Sequence, residues 1–161
     1  MFSLPVYSGN KTRTKDAARF TLKLGEERHG EDIQIPISKL HTVRGNIIAR
    51  RDGHVINRGF VSLLNADDKS QASYTEVARE DESFLFGFVP EGDYILQIGF
   101  AADVEYAEIP NPPHSSPPTR TDFHTLRTYG PADLALHVEG DMSGLTVTVP
   151  EGPQEPGLPN P

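Results

Sequence analysis

The chain has 161 residues, enough for one domain with its own core, and a formal net charge of −8. Fifteen basic residues against 23 acidic ones argue against a nucleic-acid footprint, and the lack of cysteine excludes disulfides, thiolate catalysis and cysteine-type zinc sites. Fourteen glycines and 14 prolines favour frequent turns over long helices. The start MFSLPVYSGNKTR lacks the charged and apolar regions of a secretory leader, and the most apolar run, Tyr94 to Ala102, is too short to span a bilayer.

In chain order, Thr14 to Arg19 can make one helical turn. Phe20, Leu22 and Leu24 then alternate with Thr21 and Lys23, and Ile33, Ile35 and Ile37 alternate with Gln34 and Pro36. Period-two alternation marks a strand with one buried and one wet face, so both segments are expected to be strands. The next expected strand runs from Thr42 to Arg50. Asp52-Gly53 follows it, with Gly53 able to take the positive φ of a tight reversal. Asn65 to Ser70 reads as a loop.

Phe84, Phe86 and Phe88 are expected on one face of a strand, and Tyr94, Leu96, Ile98 and Phe100 on one face of the next. Val89-Pro90-Glu91-Gly92 suits a type I turn and is expected to join these two strands as an antiparallel hairpin. Residues 108–131, rich in proline between Pro110 and Pro131, are expected to be a long loop with extended polyproline character. Leu145, Val147 and Val149 mark a last strand, and 151–161 reads as a Pro/Gly-rich tail. Gly25 to Pro36 echoes Glu139 to Pro150. That echo makes 1–39 the closing strands of a preceding module or an N-terminal extension, and 40–150 a complete module. The pattern is all-β throughout, an antiparallel sandwich of Greek-key type.

The central stretch carries a specific set of motifs. They are Val43-Arg44-Gly45-Asn46-Ile47, Asp52-Gly53, Gly59-Phe60-Val61-Ser62-Leu63, Asp81-Glu82-Ser83-Phe84-Leu85-Phe86 and Val89-Pro90-Glu91-Gly92-Asp93-Tyr94-Ile95-Leu96. In this order they resemble the carboxypeptidase regulatory-like domain family over residues 41–107. The resemblance implies a prealbumin-like, Ig-like sandwich of the kind found in long bacterial proteins exported to the cell envelope. Glu82 stands where the family has glycine, and Glu91 where a second proline is common. Tyr94 is similar to the tyrosine that ties a sandwich corner through its hydroxyl.

Catalytic and metal signatures of related folds are missing from the sequence. There is no Tyr-Arg-Gly-Ser ending, no His-x-His pair among His29, His41, His54, His114, His124 and His137, and no G-x-S-x-G elbow. No Lys in 42–50 or Asn in 145–149 is placed for an internal isopeptide bond. Acidic runs at Asp67-Asp68 and Glu80-Asp81-Glu82 read as solvated surface, with weak calcium binding as the alternative. No catalytic, cofactor or metal residue is therefore assigned. The expected function is a non-enzymatic structural or protein-binding module, partnered by another protein or by neighbouring modules. The alternative is a carbohydrate-binding module of starch-binding-like type, taking a polysaccharide. Tyr106, Phe123 and Tyr129 are the candidate binding-loop residues, since exposed aromatics can stack on a sugar.

Overall fold

Alternating side chains drive two sheets together. Val43, Ile47 and Ala49 on one strand, Val61 and Leu63 on another, Phe84 and Phe86 on a third, and Leu96 and Ile98 on a fourth are all buried in one cluster. The computed structural model describes residues 6–30, 32–35, 37–114 and 116–153. Its strands are β1 (Leu40–Ala49), β2 (Arg58–Asn65), β3 (Gln71–Glu76), β4 (Phe84–Pro90), β5 (Gly92–Pro110), β6 (Thr119–Tyr129), β7 (Ala132–Val138) and β8 (Met142–Val149).

One sheet has the order β4-β1-β8, and the other the order β3-β2-β5-β6, with β7 also paired to β5. The protein is an all-β sandwich. Its pairs are antiparallel except β1 with β8, which run parallel (Ile47 opposite Val147). Among the described residues no helix is long and apolar enough to cross a membrane.

Close approach explains the motif glycine on β1. A Cβ on Gly45 would lie 2.3 Å from the Leu145 carbonyl oxygen and 2.7 Å from the Phe84 ring. At Asp81-Glu82-Ser83 the expected turn forms without glycine. Glu82 takes φ +53°, and the Asp81 carboxylate accepts hydrogen bonds from the Ser83 amide (3.1 Å) and hydroxyl (2.7 Å). The Tyr94 hydroxyl donates to the Pro90 carbonyl at 3.0 Å, so this tyrosine ties a corner as expected.

Five expectations are corrected. Phe20 to Leu24 and Ile33 to Ile37 form no strand. Phe20 to Leu24 and Ile33 to Ile35 run as exposed chain outside any ladder and Ile37 opens a 3-10 turn, Ile37–Lys39 (Pro36 lies outside the described residues), because among the described residues no strand pairs with them. Of the two echoing stretches, only Glu139 to Pro150 therefore contains a strand among the described residues. The turn Val89 to Gly92 does not close a hairpin: β4 pairs with β1, and β5 with β2, β6 and β7, so the turn carries the chain from one sheet to the other.

Phe88 does not share the face of Phe84 and Phe86. Val43 pairs with Phe86 and His41 with Val89, leaving Gly87 and Phe88 opposite the single residue Thr42. This bulge, with Phe88 at φ +58°, reverses the phase, so that Val89 turns inward and Phe88 outward. Finally, the supposed loop 108–131 is mostly the strand β6, and only Asn111 to Pro118 connects it to β5. Threonines and Phe123 alternating with charged residues pair well across a pleated ladder, which outweighs the proline signal at the tip.

At the N-terminus the expected turn is a 3-10 turn at Thr14–Asp16. Of the tail, Glu151 bridges Tyr129, and residues 154–161 lie outside the described residues.

Candidate functional site

Strand β5 is 19 residues long and outruns its neighbours. β7 flanks it only as far as Ile98, and β2 only as far as Ala102. Beyond that point β6 is its only ladder partner among the described residues, with pairs from Asp103↔Arg127 to Pro110↔Thr119. The result is a two-stranded ribbon extending from the sandwich. Its root is closed by Asn57, whose side-chain amide donates to the Val104 carbonyl (2.8 Å) and whose side-chain oxygen accepts from the Val104 amide (2.9 Å). A side chain here satisfies the edge that β2 no longer covers.

On this ribbon Tyr106 lies directly opposite Phe123, so the two side chains share one face. Each ring is capped by an arginine. The Arg79 guanidinium sits 4.6 Å from the Tyr106 ring centre, and the Arg58 guanidinium 3.9 Å from that of Phe123. Arg79 also bonds Glu108 (3.2 Å) and Thr121 (3.3 Å). The Thr121 hydroxyl first, then Arg79, hold the Glu108 carboxyl below its usual range. Two residues from Arg58 along β2, on the same side, Phe60 pairs with Phe100 at 5.9 Å between ring centres.

Tyr129 is separate from this face. It is buried at the root of β6, where its hydroxyl donates to Asp103 (2.5 Å) and lies 3.1 Å from His54 Nε2. His54 Nδ1 is 2.5 Å from Asp52, and Nε2 is 3.0 Å from Asp103. Burial and the bond to Asp103 push the Tyr129 hydroxyl up to about 12. The cluster ties the reversal after β1 to β5 and β6. The three candidate residues are thus strand residues rather than loop residues, and only Tyr106 and Phe123 come together. Arg58, Arg79 and Asn57 escaped the sequence reading, because nothing in their spacing signals which rings or edges they will reach.

The His54 cluster has a definite pH signature. The hydrogen bond to Asp52 is the largest cause raising the His54 pKa, with Asp103 adding to it. Arg127 lies beside Tyr129 and Asp103. A raised folded-state value means the stabilisation is complete below the unfolded value of about 6.5 and fades as pH rises through the folded value. On the acid side the bond to His54 lowers the Asp52 pKa, so that contribution is lost as pH falls through the folded value. The stability difference between the parent and His54→Asn should therefore shrink from pH 6 to pH 9 in urea titrations. A difference that stays constant or grows across that range would refute this account.

The acidic loops are already engaged. Asp67 pairs with Arg13 (2.9 Å) and Lys15, Asp68 with Arg13 (2.6 Å), and Asp81 with Arg44. Among the described residues no group of three or more His, Asp or Glu side chains is placed to hold a metal ion.

No protein-family model and no curated protein matches the chain. Among solved structures it is similar to a 9R-lipoxygenase from Cyanothece PCC8801, at 12% identity and a TM-score of 0.41, over 83% of this chain and 20% of that one. It is also similar to a candidate carbohydrate-binding protein from Pseudomonas aeruginosa, at 14% identity and a TM-score of 0.36, over 70% of this chain and 89% of that one. The chain thus spans about a fifth of the length of the lipoxygenase.

Proposed function

We propose that this chain is a non-enzymatic, protein-binding sandwich module of a larger assembly, in keeping with its resemblance to carboxypeptidase regulatory-like domains, and that it docks through the β5–β6 ribbon. The observation that carries this reading is the ribbon's outer strand. From Thr119 to Arg127, β6 has no ladder partner on its outer side among the described residues, and Phe123 and Leu126 are 44% and 62% exposed along it. A free edge of this length is a template for strand addition by a partner chain. Aromatic rings and arginines beside it are the residue types that dominate protein interfaces.

A second feature supports an assembly. Leu22, Leu24, Ile33, Ile35 and Ile37 are all exposed outside the strands, a density of bare apolar side chains that ordinary surfaces avoid. The arginine caps on Tyr106 and Phe123 count against the sugar-platform reading of those two residues, since a sugar would have to displace a guanidinium from each ring.

The test is in-cell photocrosslinking in the native host, with a photoreactive residue at Leu126 and a control at Arg51. A discrete protein adduct from position 126 alone is expected. Equal labelling from both positions, or no protein adduct together with Phe123-dependent glycan binding, would overturn the proposal.

A further inference from the structure

The strands β3 and β4 are the end strands of the two sheets and face each other at one open side of the sandwich. Between them lies a cleft of about 330 Å³, at the small end of the range that ligand pockets occupy. Its floor is apolar, formed by Leu63, Ala72 and Val89. Its roof is the N-terminal segment from Tyr7 to Lys15.

Two observations show that this cleft is built rather than left over. The first is Phe88. At φ +58° a phenylalanine occupies the left-handed region, where an L residue is disfavoured by roughly 1–2 kcal/mol. The bulge that holds it there takes the ring off the core face and leaves it lining the cleft, 56% exposed. Gly87 stands next to it, yet the strained position carries the aromatic. A bulge that re-aims a side chain, together with backbone strain on a bulky residue, is characteristic of a binding position.

The second observation is the charge balance. Arg13 and Lys15 in the roof pair with Asp67 and Asp68 in the β2–β3 turn, two cations against two anions. These pairs clasp the roof to the sandwich and leave no net charge for an ionic ligand. What the rim does offer is hydroxyl and amide groups, from Thr12, Thr14, Gln71 and Ser73, beside the rings of Phe88 and Tyr7. A purely aliphatic ligand would strand those polar groups, and an ion would find its counter-charges already taken.

We infer that this cleft is a binding site for a small neutral polyhydroxyl molecule, a mono- or disaccharide, with Phe88 as its stacking platform and the N-terminal segment as its strap. Sugar rings present apolar C–H faces to an aromatic and hydroxyls to the rim, which matches the lining on both counts. The site is separate from the ribbon, and its test is separate too.

The full chain is titrated by heteronuclear NMR with glucose, galactose, maltose, cellobiose, lactose and N,N′-diacetylchitobiose, with glucuronic acid and glucosamine as charged controls. At least one neutral sugar should shift the amides of Phe88, Gln71 and Thr12, and the charged analogues should bind more weakly. Phe88→Gly removes the platform while placing at φ +58° the residue best suited to it. Its Tm should be unchanged or raised while affinity falls tenfold or more. Phe123→Ala should leave sugar binding intact. Three results would each overturn the inference: no perturbation by any neutral sugar at millimolar concentration, undiminished binding in Phe88→Gly, or charged analogues binding as tightly as the neutral sugars.

Discussion

Phe86→Ala is expected to destabilise the fold by about 3–5 kcal/mol, the range for truncating a buried phenylalanine. The side chain is fully buried on β4, 6.1 Å between ring centres from Phe84, and it faces the second sheet across the core. Removing it takes away transfer free energy and leaves a cavity. The flanking strand cannot close that cavity, because β4 is held by its ladder to β1 through the pairs Val43↔Phe86 and Gly45↔Phe84. Since total stabilities of single domains are about 5–15 kcal/mol, the variant should unfold at much lower urea with a similar m-value. Leu85→Ala, on the outer face of the same strand, should cost far less. Equal costs at the two positions would show that the alternation assigned to β4 is wrong.

Gly45→Ala is expected to cost about 3 kcal/mol or more, the upper end for overpacking a core. The added methyl would meet the Leu145 carbonyl oxygen at 2.3 Å, the Leu145 Cβ at 2.7 Å and the Phe84 ring at 2.7 Å. One of these is backbone on the parallel partner β8, so relief requires moving a strand rather than rotating a side chain. Gly140 provides the control. A Cβ there meets nothing within 4 Å, so Gly140→Ala should fall within about 0.5 kcal/mol of the parent, or gain slightly from a stiffer unfolded chain. A tolerated Gly45→Ala in chemical denaturation would mean that β1 and β8 do not approach as closely as described.

These two residues show which parts of the protein local pattern can reveal. Phe84 and Phe86, Leu96 and Ile98, and Val147 and Val149 are legible because burial on a strand has a period of two, and that period is written directly in the chain. Gly45 is legible as a motif residue, but its reason is not, since the carbonyl it makes room for is 100 positions away. Phe88 misleads the reading for a related reason. Continued alternation placed it with Phe86, whereas the ladder inserts a residue opposite Thr42 and turns it out.

The candidate site was legible in its residue types and misplaced in its setting. Tyr106 and Phe123 were singled out as aromatics beside a proline-rich stretch, and they do lie together, yet on paired strands rather than on a loop. Tyr129 looked equivalent but is buried among Asp103 and His54. The segment from Phe20 to Ile37 has the alternation of two strands and forms neither among its described residues, because a strand exists only where another chain segment accepts its backbone bonds. The cleft left no trace in the sequence, being assembled from the N-terminal segment, β2, β3, β4 and Tyr94.

By itself, the order of apolar and polar residues determined the class of the protein: an all-β chain, its central strands and its turn at Asp52-Gly53. These are local properties, set by side-chain period and backbone preference within a few residues. Only the tertiary structure decided which strands share a sheet, that β1 and β8 run parallel, that β5 and β6 continue as a free ribbon, and that Phe88 leaves the core for a cleft. Each of those outcomes depends on a contact between residues far apart in sequence, and the free energy of such a contact is absent from either segment taken alone.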